Sequence, residues 1–259
     1  MIGHEKVIAY LKSLRERGAL GHGYIFYGPA MVGKKLAALL FANYLEHGKF
    51  EEDGVMGDLM LLAPPASGPG SGSIGIDAVR DIKNFLWRKP NASPRRTLII
   101  DDADLLTTEA QNALLKITEE PPASSLLILI TSDITGILPT IQSRLPKIYF
   151  GTVPGTVKKA MGKPGLAWRL ENDGAFKERI GLAEKLLKTP AAERRDVIKK
   201  IIEPEDFNFR KFLDAMVVVL AWRGAGKENA ALWHKALQLY DRETNFSLNP
   251  RLQLESFLA

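Results

Sequence analysis

The chain has 259 residues, 46% of them hydrophobic and 25% charged, a composition that suits one or two globular domains and excludes a disordered protein. It contains no cysteine, which excludes disulfides and Cys-based zinc sites and makes a cytoplasmic setting the expectation. The net charge is +5, and residues 1–150 balance 16 basic against 16 acidic side chains while 151–259 hold 19 against 14, a surplus that permits nucleic-acid contact without demanding it.

The first residues, Met1 to Gly18, read as an amphipathic helix without the apolar block of a signal peptide. No apolar run is long enough to cross a bilayer, so no membrane partner is expected. Tyr24 to Tyr27 is a short strand ending at Gly28-Pro29, and Lys34 to Glu46 follows as a helix. Asp58 to Leu62 is a second strand, Pro64 to Gly75 a Pro/Gly/Ser loop, and Ile76 to Trp87 a helix. Thr97 to Asp101 is a third strand. Thr108 and Gln111 fit a capping box for the next helix, which Pro121-Pro122 ends. Leu126 to Thr131 and Lys147 to Phe150 complete the strands. Aliphatic strands without polar alternation, separated by helices, predict an α/β fold with a parallel sheet covered on both faces. From Gly151 onward the signals are helical, with one ambiguous apolar run at Ala215 to Leu220. The expected division is an α/β domain over 1–152, a helical segment over 153–203 and a short helical segment over 204–259.

Gly28-Pro29-Ala-Met-Val-Gly33-Lys34 is a G-x-x-x-x-G-K loop between a strand and a helix, the context a phosphate loop requires. Its glycines let backbone amides wrap phosphate oxygens, and Lys34 would reach the β- and γ-phosphates of ATP or ADP. The next residue should carry a hydroxyl for Mg²⁺. Here it is Lys35, which cannot ligate the metal, so efficient hydrolysis by this chain is not expected and Mg²⁺ would enter only with a nucleotide. Leu98-Ile99-Ile100-Asp101-Asp102 ends a strand in acids. Asp101 fits the metal-holding place and Asp102 the water-activating one, where its reach is short; the alternative is a helix-start acid cluster. Arg144 reads either as a surface charge or as a finger acting on a neighbour's nucleotide. Lys116, Glu119 and Glu120 read as a solvated helix face. Trp87-Arg88-Lys89 and Arg95-Arg96 read as solvated turns, with phosphate contact the alternative. The four histidines show no metal spacing.

Asn112-Ala-Leu-Leu-Lys-Ile-Thr-Glu-Glu-Pro-Pro122 resembles the N-A-L-L-K-x-x-E-E-P-P stretch of the AAA+ clamp-loader family. Leu138 to Leu145 is similar to that family's L-P-x-T-I-x-S-R-C motif, with Leu145 in place of Cys. Ile74-Gly75-Ile76-Asp77-Ala-Val79-Arg80 resembles a stretch of the delta-prime subunits of the bacterial DNA polymerase III clamp loader. Gly162-Lys-Pro-Gly165-Leu-Ala167 resembles the lid motif, and Leu248 to Glu255 the end of the collar domain. The family's zinc module is absent; Glu51, Glu52 and Asp53 stand in its place, and no zinc is expected. Arg169 is not assigned the role of the lid's sensor arginine.

The resemblance implies a RecA-like AAA+ domain, a helical lid and a minimal helical collar. It implies that Arg144 serves as a trans-acting arginine finger in a non-motor, stator-like subunit without independent catalysis. The implied partners are the clamp-loader motor and delta subunits, the sliding clamp, and primed DNA through the complex. The alternative is an autonomous AAA+ ATPase; a third reading is a DNA-binding module using the basic C-terminal part.

Overall fold

The computed structural model describes residues 3–51, 55–64, 73–154, 158–204, 207–224, 227–245 and 249–258. Glu52, Asp53, Leu248, most of the loop expected over 64–75, and the side chain of Arg80 lie outside the described residues. The chain divides into two units, Met1–Leu166 and Ala167–Ala259.

The first unit is built on five parallel strands: β1 (Gly23–Tyr27), β2 (Leu59–Leu62), β3 (Arg96–Ile100), β4 (Ser125–Thr131) and β5 (Lys147–Tyr149), in the order β2-β3-β4-β1-β5. Alternate residues of the central strands β1, β3 and β4 enter opposite cores, which is why those strands read as largely apolar runs, whereas the edge strands β2 and β5 leave Leu61 and Tyr149 exposed. Phe26, Ile99, Ile128 and Ile130 pack with Leu11 of α1 (Glu5–Glu16) and Phe41 and Leu45 of α2 (Lys34–His47). Ile25, Leu98, Ile100, Leu127 and Leu129 pack on the other face. There they meet Ile82 and Leu86 of α3 (Ile76–Leu86), Leu114 and Ile117 of α4 (Thr108–Glu119), and Ile141 of α5 (Pro139–Gln142).

Two local expectations are corrected. The cap of α4 is Thr107, not Thr108: its Oγ1 accepts the Ala110 N–H at 3.2 Å. Gln111 does not complete a capping box. It is buried, donates to the Leu106 and Gly136 carbonyls at 3.2 and 2.9 Å, and accepts the Leu138 N–H at 2.7 Å. It thereby braces the loop that leads into α5.

The second unit is helical. The helix α6 (Pro164–Asn172) crosses the division; α7 (Gly174–Lys188), α8 (Arg194–Ile202), α9 (Phe209–Trp222), α10 (Lys227–Asn245) and α11 (Pro250–Leu258) follow. The run that read ambiguously at 215–220 lies inside α9, which buries Phe212, Leu213, Met216, Val219 and Leu220. A helix this apolar forms a centre; α7 and α10 pack on it, and α11 packs on α8. The division into two units falls after Leu166, and within the second unit α7 and α9 share one core.

Candidate functional site

Because every strand is parallel, the sheet has a C-terminal edge and an N-terminal edge, and the sequence-selected residues divide between them. The phosphate-loop residues leave the C-terminal end of β1. Gly28 has φ 137°, and a side chain there would overlap the Phe150 carbonyl. Gly33 has φ 106° and caps α2, a conformation that favours glycine. Between them Met31 also takes positive φ, at 63°.

The loop is held through its carbonyls, from within by Lys34 and from outside by Gly165 and His4. Lys34 Nζ donates to the Gly28 and Pro29 carbonyls at 2.6 and 2.7 Å. The Gly165 N–H donates to the Met31 carbonyl at 2.8 Å, an approach that leaves no room for a Cβ on Gly165. The His4 ring meets the Val32 carbonyl at 3.0 Å through Nε2 and lies 4.9 Å from the Phe150 ring. Lys34 is buried, which holds its ammonium below the usual lysine range; the charges of Asp102, Asp101 and Asp104 work against that shift.

The acids at the end of β3 lie beside this loop. Lys35 Nζ stands 3.0 Å from Asp101 Oδ2, with 46% and 17% of the two side chains exposed. Asp102 takes a left-handed conformation at φ 48°, ψ 51°. Partial desolvation raises its carboxyl above the ordinary range, and the charges of Asp101 and Asp104 add to this. Asp104 is engaged by a residue the sequence reading passed over. The fully buried Thr131 Oγ1 lies 2.6 Å from Asp104 Oδ1 and 2.7 Å from the Asp133 carbonyl, and accepts the Asp133 N–H at 3.0 Å. The available signal was a hydroxyl closing the otherwise aliphatic run Leu126 to Ile130.

The residues of a magnesium seat do not fit that metal here. Position 35 supplies an ammonium instead of a hydroxyl, and the same ammonium occupies the carboxylate that would share the ion. Among the described residues no group of three or more His, Asp or Glu side chains is placed to hold a metal.

Arg144 lies at the other edge. It precedes β5, and Glu119 ends α4, which runs back against the strand direction. Arg144 Nη2 donates to Glu119 Oε1 at 2.8 Å and Nη1 to the Thr140 carbonyl at 2.7 Å, with 36% of the Arg144 side chain exposed. A strand of five residues separates the edges by roughly 17 Å, so this guanidinium cannot serve the chain's own phosphate loop. Lys116 and Glu120 are exposed with Glu119, as a solvated face requires.

Arg95 and Arg96 are neither solvated nor free for phosphate. Arg95 donates to the Gly21 and Ser125 carbonyls at 3.1 Å and to Leu20 at 2.8 Å. Arg96 is buried, lies 3.7 Å from Asp58 Oδ1 and stacks over the Phe85 ring at 4.8 Å. Asp58, which directly precedes β2, in turn accepts the N–H groups of Asn91, Ala92 and Ser93 at 2.8 to 2.9 Å. In the second unit Arg169 pairs with Asp173 at 3.5 Å and lies over the Phe176 ring at 3.8 Å. Both contacts join α6 to the N-terminal turn of α7.

A five-stranded parallel sheet of this order, with a G-x-x-x-x-G-K loop after β1 and acids after β3, is the fold of an AAA+ P-loop protein. Residues 3–154 match the family model described as DNA polymerase III, delta subunit, and the chain belongs to that family. It is 33% identical over 173 residues to the DNA polymerase III subunit gamma/tau of Mycobacterium tuberculosis, covering 62% of this chain and 30% of the relative. It is 29% identical over 174 residues to the DNA polymerase III subunit delta' of Pseudomonas aeruginosa, covering 63% and 50%. The chain therefore spans half the length or less of these relatives. The crystal structure of a DNA polymerase III, gamma subunit-related protein from Thermotoga maritima superposes with a TM-score of 0.66 at 19% identity, covering 96% of this chain and 97% of that one, which speaks to the fold.

Among the described residues no helix is long and apolar enough to cross a membrane.

Proposed function

We propose that this chain is a non-motor, stator-like subunit of a DNA polymerase III clamp loader that lends Arg144 to the ATP of a neighbouring subunit. The observation that carries this reading is the contrast between the two edges. At the chain's own phosphate loop Lys35 closes on Asp101, whereas Arg144 is held half-exposed at the opposite edge by Glu119 and the Thr140 carbonyl. A guanidinium that exchanges Glu119 for a γ-phosphate brings two donors to the charge that develops in phosphoryl transfer. Membership in the family and similarity to gamma/tau and delta' subunits support the setting. The partners in this reading are the motor and delta subunits, the sliding clamp, and primed DNA reached through the complex, in the cytoplasm. ATP or ADP at Gly28 to Lys34 has a structural role.

The test is ATP turnover by the assembled complex. Arg144→Ala lowers hydrolysis at the adjacent subunit by about a thousandfold, the lower end for an arginine finger. Lys34→Ala has a much smaller effect. The reverse order of the two effects would sink the reading. The second reading, an autonomous ATPase, draws on the formed loop around Gly28 and Gly33 and the nearby Asp101 and Asp102. It requires clear turnover by the purified chain that Lys34→Ala abolishes.

A further inference from the structure

The ion pair between Lys35 and Asp101 joins two positions that a P-loop ATPase uses together. The first residue after the loop lysine supplies a hydroxyl, and the acid at the end of β3 helps hold the magnesium ion between them. Here those places carry opposite charges that neutralise each other at 3.0 Å. A divalent ion entering this place would have to strip the ammonium from Asp101 and then lie beside it. The lysine is free to do something else. Its side chain is 46% exposed, and its flexible stem lets the ammonium swing from Asp101 to an oxygen presented at the start of α2.

We propose that Lys35 takes the metal's place, so that the loop Gly28 to Lys34 binds a nucleoside di- or triphosphate without magnesium. This rests on reading Gly28 to Lys34 as a phosphate loop and not on any role of Arg144. The charges facing the ligand include the carboxylates of Asp102, Asp101 and Asp104 beside Lys34, so metal-free binding depends on the lysines. Lys34 and Lys35 stand at the helix start, and Lys163 is near enough to Lys34 to bear on its charge. Together they supply positive charge that a metal otherwise brings. Asp101, relieved of Lys35 when phosphate binds, remains near Lys34. No hydrolytic step is included in the proposal, because a lysine in this place positions phosphate without activating water.

The experiment is calorimetric titration of the purified chain with ATP and with ADP, in magnesium and in excess EDTA. The wild-type dissociation constants agree within about threefold between the two conditions. Lys35→Thr, which restores the hydroxyl at a half-exposed position, binds at least about tenfold more tightly with magnesium than with EDTA. Lys35→Arg keeps the metal-free behaviour. Asp101→Asn distinguishes the two schemes by sign: releasing Lys35 tightens metal-free binding by about threefold, whereas loss of a metal ligand would weaken binding in magnesium. The proposal is overturned if the wild type needs magnesium, if it binds neither nucleotide in either condition, or if Lys35→Thr gains no metal dependence. Arg144→Ala in the assembled complex reads the other proposal independently, since that variant leaves these titrations unchanged.

Discussion

At the C-terminal edge of the sheet, Lys35 and Asp101 meet with 46% and 17% of their side chains exposed; at the N-terminal edge, Arg96 and Asp58 meet with 9% and 1%. Both are lysine- or arginine-carboxylate contacts, yet they have different consequences. The exposed pair is screened by water and costs little to open, so it can be exchanged for a ligand. The buried pair is closed in by three backbone N–H groups and an aromatic ring, and opening it strands a charge. Arg144 and Glu119 resemble the first kind, at 36% and 48% exposed, although they share an edge with the second. Exposure, more than charge type, separates exchangeable contacts from structural ones in this unit.

Substitutions at Arg144, Asp58, Thr107 with its neighbour Thr108, and Asp102 test how far exposure governs these contacts. The largest effect is the thousandfold loss of neighbour ATP turnover expected from Arg144→Ala, with no loss of the chain's own stability beyond a surface pair. Next is Asp58→Asn, which costs about 3 kcal/mol in urea denaturation because it leaves Arg96 buried without its counter-charge. The pH dependence follows from the same carboxylate. Burial pushes Asp58 up, but the N–H groups of Ser93, Ala92 and Asn91 and the Arg96 charge outweigh it and hold the carboxyl below its ordinary value. Its stabilisation is therefore complete above about pH 4 and is lost as pH falls through the folded value. Asp58→Asn should flatten that acid limb, and an unchanged limb would count against the clamp.

Thr107→Ala costs about 1 kcal/mol through the lost cap of α4, whereas Thr108→Ala changes urea stability little. Equal costs at the two positions would return the capping role to Thr108. The smallest effect has the opposite sign. The Asp102 carboxyl is raised, so the folded state pays for its ionisation as pH rises above the unfolded value, and that penalty persists at neutral pH. Asp102→Asn removes it and keeps the left-handed conformation that asparagine tolerates. Because the residue is exposed and screened by solvent, the expected gain at pH 7 is only a few tenths of a kcal/mol. A loss of stability there would mean that the carboxylate does structural work.

The sheet was legible because burial on both faces leaves its central strands largely apolar, and the phosphate loop because its glycines sit between a strand and a helix. The single hydroxyl of Thr131 was equally visible but carried no spacing rule to draw notice. Other features depend on partners far along the chain. Arg95 and Arg96 look like surface charge in sequence; nothing local announces that Asp58, or the carbonyls of Leu20 and Gly21, will enclose them. Thr107 and Thr108 are both competent caps, and only the helix phase selects between them. Lys35 was legible as a departure from the expected hydroxyl, but its contact with Asp101 required the fold to bring β3 beside the start of α2.

Gly28 lies where a side chain would overlap the Phe150 carbonyl, and Gly165 where one would crowd the Met31 carbonyl. These glycines are demanded by the way neighbouring segments abut, whether or not a nucleotide ever arrives. Lys34 likewise ties down two carbonyls of its own loop. Much of the phosphate-loop signature is thus demanded by masonry as well as by phosphate, and its presence alone does not report which nucleotide chemistry the loop performs. The place to look for use or disuse in a kindred sequence is position 35, where no packing demand speaks and the choice between hydroxyl and ammonium is free.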